Sequence, residues 1–290
     1  MAHQERKKIM KTWKKIVLGV SLISLFLGGG LVAWGYSQGG LTDLQNKTIS
    51  EQDYVKKEVK DFNKIDIKSS SYNVLIKNGE VDKATLSYYQ KTKNPIDTSV
   101  KDGQLTINDN NSELDSTSNK HINFFGLKDL VRLSTLNEEV RNKTIVITLP
   151  KKQTIDFLKV DLATGNLDLS NSTIKQADIN LNVGDLTFTK MIVSNLKANL
   201  DVGSVDSDHT LFTNSDLSIA MGDYSGDNLI FNGHNKLDVT SGDIEIALKD
   251  YTLNVQADSH SGEVDITNNL KISKDNTLTI TSDLGDITVE

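Results

Sequence analysis

Apolar and polar residues alternate along most of the chain after Pro150, and a glycine interrupts the alternation at regular intervals. These glycines are Gly165, Gly184, Gly203, Gly222, Gly242, Gly262 and Gly285, separated by 19, 19, 19, 20, 20 and 23 residues. A short polar or acidic residue follows each one: Asn166, Asp185, Ser204, Asp223, Asp243, Glu263 and Asp286. Positions five, three and one before the glycine are largely apolar or small, as in Ile179/Leu181/Val183 and Leu217/Ile219/Met221. Positions two and four after it resume the alternation, as in Leu186/Phe188, Ile244/Ile246 and Ile287/Val289. Period two on both sides of a fixed break predicts strand, tight bend, strand in every unit.

A unit this short cannot bury its apolar side alone. Stacking successive units about 4.8 Å apart turns the inward residues into continuous aliphatic ladders. The glycine then serves as a shared corner, where positive φ carries no Cβ penalty. The absence of proline after Pro150 suits hydrogen-bonded ladders on every coil. The prediction is an all-β chain whose residues 158–290 form a single-stranded β-solenoid, or β-helix, with 19–20 residues per coil. The rival, antiparallel hairpins joined at Gly-Asp, gives no reason for an even period.

Residues 59–157 are less regular. Ile65-Asp66-Ile67 and Val74-Leu75-Ile76 flank Tyr72-Asn73, which reads as a first coil with Tyr72 in place of the glycine. Alternation around Ala84–Tyr89, Val100–Ile107 and Thr144–Leu149 predicts further strands. Between them, 108–142 reads as a loop and cap. Asn108–Lys120 is polar, whereas Ile122–Leu136 carries Phe124, Phe125, Leu127, Leu130, Val131 and Leu133 at the spacing of a short amphipathic helix. That helix would cap the open end of the stack, bind a partner, or touch a membrane through its phenylalanines beside Lys128 and Arg132. Capping is the reading taken, since every solenoid must cover its ends.

The N-terminus adds a location. Ile16 to Tyr36 is an uncharged run of 21 residues preceded by six basic side chains and one acid. At about 1.5 Å per residue it spans a bilayer. The positive flank keeps residues 1–15 in the cytoplasm and places the rest outside, in the cell membrane as a single-pass protein. A cleaved signal peptide is the alternative, with small residues at Ala33 and Gly35. Residues 37–58 read as a tether, with a short helix over Leu41–Lys57 as the other option.

Charge and composition narrow the chemistry. Residues 158–290 hold eight basic and 21 acidic side chains, a net −13, which excludes a nucleic-acid binder. Cysteine is absent, so there is no disulfide, thiolate site or acylated anchor. His209, His234 and His260 fall at different phases of the repeat, and no arginine follows Arg141, so neither a histidine metal site nor an arginine clamp is visible. No catalytic residue and no cofactor is predicted. Stacking in register would bring Asp243, Glu263 and Asp286 into one file, the weak candidates for a divalent cation. Against them, the paired glycines of calcium-binding β-rolls are missing, and a solvated turn in which Asp caps its backbone suffices.

The runs Val160–Leu169 (V-D-L-A-T-G-N-L-D-L) and Leu237–Ile246 (L-D-V-T-S-G-D-I-E-I), with Asp283–Ile287, resemble the bacterial β-strand-repeat "putative adhesin" domain family of unknown function. The resemblance covers roughly residues 59–290 and implies a surface or membrane β-solenoid of a Gram-positive bacterium. It also implies kinship with surface proteins associated with the cell envelope stress response. No catalytic residues come with it. The function expected is a non-enzymatic, membrane-anchored binding or envelope-stress module, whose partners would be cationic peptides or another envelope protein. The alternatives are an adhesive or structural surface spacer and, third, a wall-polysaccharide enzyme. The enzyme would need a sugar-stacking groove, and Trp does not occur after Trp34.

Overall fold

The computed structural model describes residues 52–91, 95–109 and 143–290. Among these residues every regular element is a strand. The predicted membrane span 16–36, the basic segment 1–15 and the apolar segment 122–136 lie outside them.

One middle coil shows how the chain runs. Leu196–Val202 forms a long side, the chain turns at Gly203, and Val205–Asp208 forms a second side. A turn at His209 leads into a short third side, Leu211–Thr213, and a turn at Asn214 returns the chain to the long side as Asp216–Met221. Successive turns of the chain pair in parallel, with Leu200 beside Ile219, Val205 beside Tyr224 and Phe212 beside Phe231. The architecture is solenoid-like, and the glycine period is its coil length. Parallel pairing at this offset removes the hairpin rival.

The two corners outside the glycine file carry no regular glycine and were not predicted from the sequence. Asn171, Lys190, His209 and Asn228 occupy one of them with φ of 52, 54, 48 and 54°. Asn195, Asn214 and Gly233 occupy the other with φ of 48, 54 and 66°. Asparagine tolerates the left-handed region better than most residues, so these corners carry no invariant glycine. Their signal in the sequence is a weak 19-residue spacing of Asn.

Inside, aliphatic ladders run the length of the stack. Val160, Ile179, Ala198, Leu217, Leu237 and Ile280 form one file on the long side, all buried. Phe188, Phe212 and Phe231 pack across the second and third sides with ring centroids 5.3 and 5.8 Å apart. Each fully buried Leu, Ile or Phe contributes about 1.5–3 kcal/mol. The position just before the glycine does not belong to this core. Val202, Met221 and Leu284 are 37, 59 and 58% exposed, although the register is unchanged from Leu200↔Ile219 to Val202↔Met221. Exposed apolar side chains therefore stand beside the corner, with Ser241 between Met221 and Leu284.

The first coil is as expected. Lys64–Ser69 pairs with Phe157–Leu162, Asn73–Gly79 pairs with Leu167–Ser170, and Tyr72 stands at the corner. Below it Gln104–Asn108 and Thr144–Pro150 make a further parallel layer. The end is then closed by antiparallel strands, Asp97–Lys101, Thr85–Lys91 and Gln52–Glu58. Gln52–Glu58, the last part of the stretch read as a tether, is thus a strand of the sheet.

The other end breaks sequence order. Thr277–Leu284 pairs with His234–Ser241 on one edge and with Asn254–Ser261 on the other. Ile287–Val289 likewise lies between Ile244–Leu248 and Val264–Ile266. The C-terminal strands are inserted between two earlier coils, and the coil of Asn254–Ile266 forms the end of the stack. The inward residues explain the choice. Leu278, Ile280, Ile287 and Val289 are large and fully buried where they sit, whereas Ala257 and Ser259 offer little to fill a core.

Candidate functional site

The glycine corner is built by close approach of successive backbones. A Cβ on Gly203 would lie 1.9 Å from the carbonyl oxygen of Gly184, and one on Gly222 would lie 2.0 Å from that of Gly203. Six of the seven glycines also take φ between 141 and 150°. Gly262, predicted to share this conformation, does not take positive φ; crowding by the Gly285 carbonyl, 2.0 Å from a Cβ there, is what requires glycine.

The residue after each glycine forms a second ladder. Backbone N–H groups donate to the side chain of the coil before: Asp185 to Asn166 Oδ1 (2.9 Å), Ser204 to Asp185 Oδ1 (3.0 Å) and Asp243 to Asp223 Oδ1 (2.9 Å). The ladder continues with Asp286 N–H donating to Asp243 Oδ1 (2.9 Å) and Glu263 N–H donating to Asp286 Oδ1 (2.8 Å). The candidates Asp243, Glu263 and Asp286 do share one file, but Asp286 stands in the middle of it. The Asp243 and Asp286 oxygens accept from main-chain N–H groups at the corner, which Asp and Asn do well, whereas Glu263 enters the file through its N–H. Among the described residues no three His, Asp or Glu side chains converge on a point that would hold a metal ion.

The histidines stay apart. His209 sits at a corner with Nδ1 2.6 Å from Asp208, His234 begins a long-side strand with Nδ1 3.0 Å from Thr277 Oγ1, and His260 ends another.

Charge is one-sided. On the long side lysines and acids alternate, with Lys159 3.7 Å from Asp161 and Lys236 3.6 Å from Asp238. On the second side, from Leu186–Thr189 onward, the charged outward residues are Asp206, Asp208, Asp227, Glu245 and Asp265, with no lysine or arginine in those strands. The acidic corner file borders them. The −13 visible in the sequence is therefore concentrated on one side and its edge. Asp168, at the start of this side, is 3% exposed, and its burial pushes the carboxyl up to about 6 against a smaller opposing pull from Lys77.

No curated protein matches the chain. It is similar to solved structures of a "putative cell adhesion protein" from Clostridium sporogenes (14% identity, 82% of this chain and 99% of that one, TM-score 0.37). It is also similar to a "putative adhesin" from Bacteroides fragilis (15% identity, 83% and 97%, TM-score 0.31). A third is a "putative lipid binding protein" from Parabacteroides distasonis (10% identity, 82% and 97%, TM-score 0.34). Residues 62–290, which hold the whole stack from the first coil to the inserted C-terminal strands, match the Toastrack DUF4097 family, and the chain belongs to that family.

Proposed function

We propose that the protein is a non-enzymatic, membrane-anchored cell-surface module that binds cationic ligands on its acidic side, in the setting of the envelope stress response. The segregation of acids onto the second side and the glycine corner carries this reading. A rigid stack holds those carboxylates in parallel files, so weak attractions to a basic peptide add up. The uncharged run 16–36 with its basic flank supports anchoring, with residues 37–290 outside the cell. An adhesive or structural spacer is the second reading, favoured by the exposed apolar side chains of Val202, Met221 and Leu284 beside the corner.

The test uses the full chain. External protease on intact cells should digest residues 37–290 while the N-terminal fragment stays in the membrane fraction. Purified full-length protein should bind a lysine-rich peptide, with affinity falling steeply between about 20 and 150 mM salt. Mature protein beginning after Gly35 and released to the medium contradicts the anchor. Absence of peptide binding at low salt contradicts the ligand class and leaves the spacer.

A further inference from the structure

The two ends of the stack are finished differently. At the first end antiparallel strands close the coils, and the free edges there, Gln52–Glu58 and Asp97–Lys101, carry Lys56, Lys57 and Lys101. At the far end Asn254–Ser261 is paired on one edge only, by Thr277–Leu284, and Val264–Ile266 only by Ile287–Val289. Alternate backbone N–H and C=O groups of such an edge strand point away from its neighbour. Asn254–Ser261 is eight residues long and holds no lysine, arginine or proline, the residues that keep exposed edges from pairing.

The core is open at this end as well. Val264 and Ile266 continue the files of Ile287 and Val289, which are fully buried, yet Val264 is 41% exposed. Lys271 bridges to Thr252, which places Ile272 beside buried Leu253, yet Ile272 is 84% exposed. Among the described residues no strand pairs with this layer from outside.

A second copy of the chain matches the layer in shape and charge. Turned about a two-fold axis through the middle of the long side, Asn254–Ser261 lies antiparallel to its own copy. The second side of each molecule then falls against the third side of the other. With Ala257 on the axis, Val255 meets Ser259 and Asp258 meets Gln256, so no like charges are opposed. With Asp258 on the axis two carboxylates would meet. The second side brings Val264 and Ile266 with exposed Asp265 between them, and the third side brings Leu270 and Ile272 with exposed Lys271 between them. Apolar residues thus face apolar ones and the acid faces the base, twice over. The closed first end offers no such edge, so the pairing stops at two copies and does not grow into a filament.

We propose that the coil of Asn254–Ile272 is a self-association surface, on which two copies of this chain pair edge to edge about a two-fold axis at Ala257. The inference stands whether or not the acidic side binds a cationic ligand.

A chain without cysteine makes the test direct. Directly opposed residues of an antiparallel pair lie about 4.5–5.5 Å apart, within disulfide reach. Full-length Ala257→Cys should therefore link two copies under mild oxidation, while Thr240→Cys, exposed on the long side two layers from the end, should not. Self-association of the full-length protein is then measured by sedimentation equilibrium in density-matched detergent. Asp265→Lys should weaken it by at least about tenfold, and adding Lys271→Asp should restore it to within about threefold. These two residues lie on the surface, so this arm reads the contact even where Ala257→Cys disturbs the strand. A protein that stays monomeric, a dimer that a folded Ala257→Cys variant leaves unlinked, or a double variant as weak as the single overturns the proposal. Protected amides over 254–261 in a monomer overturn it too, since the chain's own remaining residues would then cover the edge.

Discussion

Gly203→Ala should destabilise the protein by about 3 kcal/mol or more, combining the strain of φ 147° with a Cβ set 1.9 Å from a backbone oxygen. Gly184 cannot yield cheaply, since its N–H is held by the Val202 carbonyl (2.9 Å) in the coil that carries Gly203. Gly103→Ala is the control. Gly103 has φ of 73°, but a Cβ there would meet only Asn63 Oδ1 at 3.4 Å, so the cost should stay near about 1 kcal/mol. Gly262→Ala should fall between them, because its coil ends the stack and can shift outward. Denaturant unfolding followed by circular dichroism gives all three values. Equal sensitivity at Gly103 and Gly203 would mean that close approach of the coils is not what demands glycine.

Truncation after Asn276, which removes Thr277–Glu290, should unfold a coil that precedes it in sequence. With Thr277–Leu284 and Ile287–Val289 gone, Asn254–Ile266 loses its partner strands on both sides of the corner. Burial of Leu278, Ile280, Ile287 and Val289, about 6 kcal/mol or more in all, is lost with them. Hydrogen exchange should show the amides of 254–266 at rates of unfolded chain, while His234–Leu248 stays protected as a new end. The 20-residue spacing of Gly242 and Gly262 allows the competing result, in which the terminal coil drops one place and pairs with His234–Ser241. Retained protection over 254–266 would show that the inserted order is not needed to hold that coil.

What the sequence made legible follows from how strongly each feature is constrained. The glycine corner was visible because no other residue fits there, so the spacing is strict and the ladder of inward Ile, Leu and Val follows from it. The Asn and Lys corners were not visible, because φ near 50° is open to several residue types and leaves only a faint period. The residue before the glycine was read as inward because period two continues up to it, yet Met221 and Leu284 lie outside. The inserted C-terminal strands left one trace, the 23-residue step from Gly262 to Gly285, together with small inward residues in the coil they displace. Register is set by which layer fills the core better, a comparison between coils that no single repeat displays. At the corner, Asp243, Glu263 and Asp286 were legible as a file. That their neighbours' N–H groups use the file as a ladder required the stacking direction, which spacing alone does not fix.

The distribution of charge around the stack is the basis for assigning the protein a ligand. Asp243→Asn, Glu263→Gln and Asp286→Asn together remove three charges from the corner while Asn keeps the acceptor oxygen that the ladder uses. Asp178→Asn, Asp201→Asn and Asp216→Asn remove the same number from the long side. Both triple variants, in the full-length protein, are titrated with a lysine-rich peptide at low salt. Binding should weaken by about tenfold for the corner variant and by less than about twofold for the long-side variant, as expected for a local field in place of net charge. Equal weakening in the two, or none in either, would contradict a binding side and leave the acids as a solvated surface.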